Sequence, residues 1–187
     1  MPLDKNLSDL FLEVSTRAAL SSFYLVGKKD KIAADKAAVD TMRSKLNKIN
    51  MNGRIVIGEG ELDEAPMLYL GEKLGTKNGP HLDIAVDPLE GTNFAAYNLP
   101  GALSVIAVTE KNNLLGAPET YMDKISSNIS EPGVIDLDFS IKKNIHNLAD
   151  FKNCKPNNLN ICLLDRPRHK EIISELKSLN VNIKLIS

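Results

Sequence analysis

Tryptophan is missing from this chain of 187 residues, and cysteine, histidine and aromatic residues are scarce. The two cysteines, Cys154 and Cys162, have no metal-type spacing and no neighbouring histidine cluster. That excludes a thiolate metal site and makes reduced cytosolic thiols the expected state. His146 and His169 have no acid or cysteine at ligand spacing, so neither is assigned a role. Charge of one sign is lacking too. A net charge of −1 gives no reason to expect nucleic acid or an anionic membrane surface as partner. No apolar run approaches a membrane span. Met1 to Asn6 is polar and leads into a helical pattern, unlike a signal peptide, so the expected location is cytoplasmic. There is no internal repeat and no low-complexity tract.

What is present suits a soluble α/β chain. Hydrophobic residues make up 43%, enough to fill a core, and the length allows one domain or one domain plus part of another. Helical spacing runs over Asp9 to Val26, with Leu10, Val14, Ala18 and Leu25 inward, and over Asp35 to Ile49. Strands are expected at Ile55 to Gly58, Leu82 to Val86 and Ala102 to Val108, the second ended by a proline. Pro66 to Leu74 reads as a short helix opened by proline, and Lys111-Asn112-Asn113 as a hairpin turn. Ser126 to Gly133 is a polar loop, and Ile141 to Phe151 is helical. The polar segment Asn153 to Asn158 is the expected domain boundary. Beyond it Leu159 to Leu164, Arg168 to Leu179 and Val181 to Ile186 form a βαβ pattern.

The chemistry concentrates where strands end. Asp87-Pro88-Leu89-Glu90-Gly91-Thr92 offers two carboxylates, a glycine and a hydroxyl just past an apolar run. Such an oxygen set suits hard divalent cations and their phosphate ligands. It could equally be an acidic turn, since Asp, Pro and Gly are ordinary turn formers. A second β-branched run ends the same way, in Gly58-Glu59-Gly60-Glu61. Asp35 lies near the start of a helix with Ala38, Val39, Met42 and Leu46 on one stripe. Alone it would read as a helix cap or a dipole partner. Among several acids it becomes a candidate metal ligand.

These segments together resemble the class II fructose-1,6-bisphosphatases, members of the lithium-sensitive, metal-dependent sugar phosphatase superfamily. Asp87-Pro88-Leu89-Glu90-Gly91-Thr92 matches the superfamily signature. Gly58-Glu59-Gly60-Glu61 followed by Glu64-Ala65-Pro66-Met67 matches the narrower class II stretch. The resemblance implies a layered α/β sugar-phosphatase fold. Residues 1–153 would be a metal-binding phosphatase domain and 159–187 the start of a second α/β domain. The family pattern has an acidic-glycine phosphate loop and a further glutamate ligand beyond Ser187, so the chain is expected to be a front portion. Asn93 stands where some relatives carry a basic residue.

The implied activity is metal-dependent hydrolysis of the 1-phosphate of fructose-1,6-bisphosphate, a gluconeogenic step. The implied cofactor is a pair of Mn²⁺ or Mg²⁺ ions. The resemblance assigns metal binding to Asp35, Glu59, Asp87 and Glu90. It assigns water or phosphate orientation to Thr92 and a weaker role as base to Glu61. It gives substrate contacts to Glu90, Gly91, Thr92, Tyr121, Arg166, Pro167, Arg168 and Lys31. For Lys31 a solvated surface charge, for Tyr121 a core tyrosine and for Arg166-Pro167-Arg168 a charged loop are the competing readings. The partner is a small sugar bisphosphate, with a homo-oligomer expected for the full-length form. Sedoheptulose-1,7-bisphosphate, or metal and sugar-phosphate binding without turnover, are the alternatives.

Overall fold

The computed structural model describes residues 5–60, 68–116 and 121–186. Two compact units divide the chain, Met1–Glu119 and Thr120–Ser187.

The first unit opens with two helices, α1 (Lys5–Phe23) and α2 (Lys31–Leu46). Phe11, Val14, Ala18 and Ser22 are the buried face of α1. The stripe is rotated from the expected one: Leu10 is exposed, because Phe11 takes the core position beside it. Buried Ser22 returns its hydroxyl to the carbonyls of Ala18 and Ala19, so burial leaves no donor unsatisfied. α2 turns Ala34, Ala38, Val39, Met42 and Leu46 inward, and its alanines let the two helices approach closely. Ser21 Oγ bridges them with a hydrogen bond to the Ala37 carbonyl at 2.9 Å.

Both helices pack on a four-stranded sheet of order β2-β1-β3-β4. Its strands are β1 (Asn52–Ile57), β2 (Lys73–Leu74), β3 (His81–Glu90) and β4 (Leu103–Glu110). β1 and β3 run parallel; β2 and β4 are antiparallel to their neighbours. Gly53 and Ile55 stand opposite Leu82 and Ile84, and the same sheet face supplies Val86 to the helix-side core. A bidentate ion pair from Arg43 to Glu72, at 2.7 and 3.1 Å, ties the end of α2 to the chain entering β2.

Several expectations change here. β3 does not stop at Val86 but continues through Pro88 to Glu90. Leu68 to Leu74 is not helical and ends in β2; the rest of the expected helix, Pro66 and Met67, lies outside the described residues. Two residues are too short a strand to show period-2 alternation. Residues 111–116 and 121–140, the described residues between β4 and the next helix, contain no strand to complete a hairpin at Lys111-Asn112-Asn113. The antiparallel partner of β4 is β3, reached through the short helix α3 (Thr92–Ala96).

The second unit holds α4 (Ile141–Phe151), β5 (Asn160–Leu164), α5 (Lys170–Ser178) and β6 (Asn182–Ile186). β5 and β6 pair in parallel around α5, as the βαβ pattern predicts. Ile145 and Ala149 of α4 share one core with Leu159, Leu176 and Val181. The boundary expected at 153–158 therefore falls inside this unit, because the apolar face of α4 packs forward onto β5, α5 and β6. Ser140 caps α4 by accepting from the Lys143 amide at 3.2 Å. Residues 126–133 contain no helix or strand, as expected.

A candidate metal centre at the ends of two parallel strands

β1 and β3 are parallel neighbours, so their carboxyl ends open on the same side of the sheet. Glu59 follows β1 by two residues, while Asp87 and Glu90 belong to the last turn of pleat in β3. The pairing of β3 with β4 shifts between these two acids. Asp87 faces Val105 and Glu90 faces Leu103, so three steps on β3 match two on β4. This is a β-bulge, and it carries Pro88. Proline lacks the N–H that a regular ladder would need, so a bulge accommodates it without losing a bond. In a regular strand, residues three apart point to opposite faces. The extra residue restores the parity and puts the Glu90 carboxyl on the same face as Asp87, where it acts on it.

Burial is the largest influence on Asp87, followed by the neighbouring Glu90 carboxyl and its charge. The Leu89 amide works the other way, and the charge of Asp35 adds to the rise. Together they push the Asp87 carboxyl up to about 7. Asp35 is raised by burial alone. It is not a cap: Asp30 performs that task, accepting from the Ala33 amide at 2.9 Å. The backbone explains why the start of α2 lies near the end of β3. Gly27 and Lys29 donate to the carbonyls of Ala95 and Ala96 at 3.0 and 2.8 Å, binding the α1–α2 connection to α3.

Glu59 is anchored by its own amide, which donates to the Leu68 carbonyl at 2.9 Å. Gly58 makes that approach possible, since a Cβ there would lie 2.2 Å from the Leu68 oxygen. Gly91, at φ 76°, turns β3 into α3 and leaves half-buried Thr92 as the first helical residue. In the sequence Gly58 reads as the end of a strand and Pro88 as a strand stop or turn former. The glycine's close approach and the proline's bulge depend on neighbouring segments and could not be read locally.

The carboxylates leave buried acceptor atoms. Asp35 Oδ1 and Asp87 Oδ1 are buried and accept no hydrogen bond among the described residues, and Glu59 also buries Oε2. Buried acceptors of this kind cost free energy unless a donor or a cation reaches them. The donor set is oxygen only, which fits a hard divalent ion. Among the described residues, no three acids, cysteines or histidines already stand close enough to form a finished cage. Glu90 and Asp35 are near enough to act on Asp87, without forming a preformed coordination sphere.

The other candidate residues are distributed as follows. Lys31 is exposed at the first position of α2. Glu61 lies outside the described residues. In the second unit, the Arg168 guanidinium stacks over the Tyr121 ring, 4.3 Å from its centre. Tyr121 is therefore exposed rather than a core tyrosine. Arg166 and Pro167 lead into a 3₁₀ turn, Pro167–His169, and Arg166 Nη1 donates to the Asp165 carbonyl at 3.0 Å. Carboxylates gather in one unit and the aromatic–arginine pair in the other.

Comparison with known proteins fits this chemistry. A family model described as bacterial fructose-1,6-bisphosphatase, glpX-encoded, matches residues 5–187. A D-fructose 1,6-bisphosphatase class 2/sedoheptulose 1,7-bisphosphatase of Synechococcus sp. (strain CC9902) is 45% identical over 185 residues, covering 99% of this chain and 55% of the relative. The protein of the same name from Synechocystis sp. is 42% identical over 197 residues, covering 99% and 57%. The chain thus spans about 55% of the length of the curated relatives it matches. An extragenic suppressor structure from Pyrococcus furiosus aligns at a TM-score of 0.39 and 17% identity, over 57% of this chain and 41% of that one.

Proposed function

The chain belongs to the glpX-encoded bacterial fructose-1,6-bisphosphatase family, and from that premise we propose that it carries the metal-binding part of a sugar bisphosphatase. The observation that carries this reading is the set of buried carboxylate oxygens on Asp35 and Asp87 with no hydrogen-bond partner among the described residues, beside Glu90 and near the end of β1. We assign Asp35, Glu59, Asp87 and Glu90 to a pair of Mn²⁺ or Mg²⁺ ions. When bound, such ions polarise a phosphoryl oxygen and make water acidic enough to attack at neutral pH.

The residues of the chain supply the rest. The carboxylates offset the charge of the cations and fix their spacing. Thr92 donates or accepts a hydrogen bond that orients water towards the 1-phosphate of fructose-1,6-bisphosphate. A new P–O bond forms from water, the bond from phosphorus to the C1 oxygen breaks, and that oxygen leaves with a proton. The products are fructose 6-phosphate and inorganic phosphate. Glu61 is assigned as an auxiliary base. Gly91 lets the backbone approach the phosphate, and Tyr121, Arg166, Pro167, Arg168 and Lys31 are assigned to the substrate. The planar guanidinium of Arg168 on the Tyr121 ring is a rigid donor suited to a phosphate oxygen.

Sedoheptulose-1,7-bisphosphate is a second substrate on this reading, because the relatives' names carry both activities. A cytoplasmic location, a gluconeogenic role and a homo-oligomeric form belong to the same proposal. Among the described residues no helix is long and apolar enough to cross a membrane.

The test is phosphate release from fructose-1,6-bisphosphate with Mn²⁺, with and without excess chelator. Turnover that chelator abolishes supports the reading. Turnover that survives chelator contradicts it, and saturable Mn²⁺ binding with no turnover favours the binding-only alternative.

A further inference from the structure

The opposite end of β3 holds a second concentration of charge. Cross-strand partners share a sheet face, and alternate residues return to it. Arg54 is in register with Asp83 on one side and Lys73 on the other, and Asn52 is in register with His81. These five residues therefore occupy the face opposite Leu82 and Ile84, which enter the helix-side core. Lys111 joins them through its amide, which donates to the His81 carbonyl at 3.1 Å. With Leu82 they line an open cavity of about 300 Å³.

Asp83 is the floor of this cavity and is completely buried. Its Oδ1 receives Arg54 Nη2 at 3.1 Å, and its Oδ2 receives the Asn112 amide at 2.6 Å. One carboxylate thus fixes a guanidinium and the turn after β4. The ion pair alone could be structural, yet it accounts for only part of the charge. Arg54 has five N–H donors and a half-exposed side chain, and Asp83 is its only partner among the described residues. Lys73, Lys111 and His81 make no ion pair among the described residues and are exposed. Against three permanent cations stands the single carboxylate of Asp83. Concave walls concentrate such a field and attract a small anion.

We propose that this cavity is a second anion site that binds a small phosphate-bearing molecule. Arg54 offers the planar fork, Lys73 and Lys111 the point charges, and Asp83 positions the arginine. Asp83 precedes Asp87 by four residues, roughly 13 Å of strand, so the site is separate from the carboxylate cluster.

The test uses the full 187-residue chain, kept free of metal with chelator so that no cation recruits phosphate elsewhere. Backbone NMR shifts are followed while inorganic phosphate or glycerol 3-phosphate is added at constant ionic strength, with chloride as control. Saturable shifts centred on Asn52, Arg54 and His81 are expected with both probes. The tighter-binding probe tells whether a free phosphate or a monoester is preferred. Lys73→Glu and Lys111→Glu should each weaken binding on the order of tenfold, while Mn²⁺ binding at the acids stays as in the unsubstituted chain. Arg54→Lys keeps the charge and should still lose affinity. The absence of saturable shifts at these residues, or affinity unchanged in both lysine variants, overturns the proposal.

Discussion

Asp87 and Glu90 lie three residues apart on one strand, yet Glu90 stands close enough to raise the Asp87 carboxyl. The bulge at Pro88 is the reason, since it inserts one residue and returns both side chains to the same face. A proline that punctuates the sequence thus pairs two acids within the strand. Burial first, and then this proximity, raise the Asp87 carboxyl in the metal-free chain, and a divalent cation would relieve both.

Stability should follow from this. Asp87 has an ordinary carboxyl value of 3.8 and stands at about 7 in the folded chain. A raised carboxyl binds more protons folded than unfolded. Its contribution is therefore fully present below about pH 4 and is lost as pH rises towards 7. Asp35 is shifted the same way. Thermal unfolding of metal-free protein should fall between pH 5 and 7.5, and Asp87→Asn should flatten that fall. Equal slopes in the two proteins would show that Asp87 is not raised.

Metal affinity should depend on pH through the same group. The ion competes with the proton on Asp87, so Mn²⁺ binding should strengthen from pH 5.5 to 7.5 and release protons. Calorimetry in buffers of different ionisation enthalpy measures that release. Binding that is flat across this range would remove Asp87 from the ligand set.

Thr92 separates positioning from metal binding. Thr92→Ala should preserve Mn²⁺ affinity and the melting temperature while lowering turnover on the order of 10²-fold. Thr92→Ser keeps the hydroxyl and should recover part of the rate. Identical rates in the two variants would refute the hydroxyl's role.

Gly58 tests the backbone that sets Glu59. A Cβ there would meet the Leu68 oxygen at 2.2 Å. Gly58→Ala should destabilise the protein by about 1–3 kcal/mol and weaken metal binding as Glu59 is displaced. Urea unfolding and Mn²⁺ titration report the two effects. An alanine variant of unchanged stability would mean that the strand end is more adaptable than the described backbone.

Much of this was legible before the fold. The β-branched runs before Glu59 and Asp87 are parallel neighbours, and Ile141 to Phe151 is helical at both predicted ends. The family resemblance carried by Glu59 and by Asp87 to Thr92 agrees with the family match over residues 5–187. What could not be read depends on distant partners. Whether Pro88 ends a strand or sits in a bulge is decided by the register of β4. Leu10 loses the core to Phe11 through a rotation of about one residue, because both fit a helical stripe. Asp83 is the one charged residue within Leu82 to Val86, and only the pairing with β1 reveals Arg54 as its partner.

The measurement closest to the central claim is a Mn²⁺ titration of the 187-residue chain, followed by electron paramagnetic resonance and repeated with Asp87→Asn. Saturable binding is predicted, weakened at least about tenfold by the substitution. Absence of binding, or the same affinity in both proteins, would contradict a cation site built on Asp35, Glu59, Asp87 and Glu90.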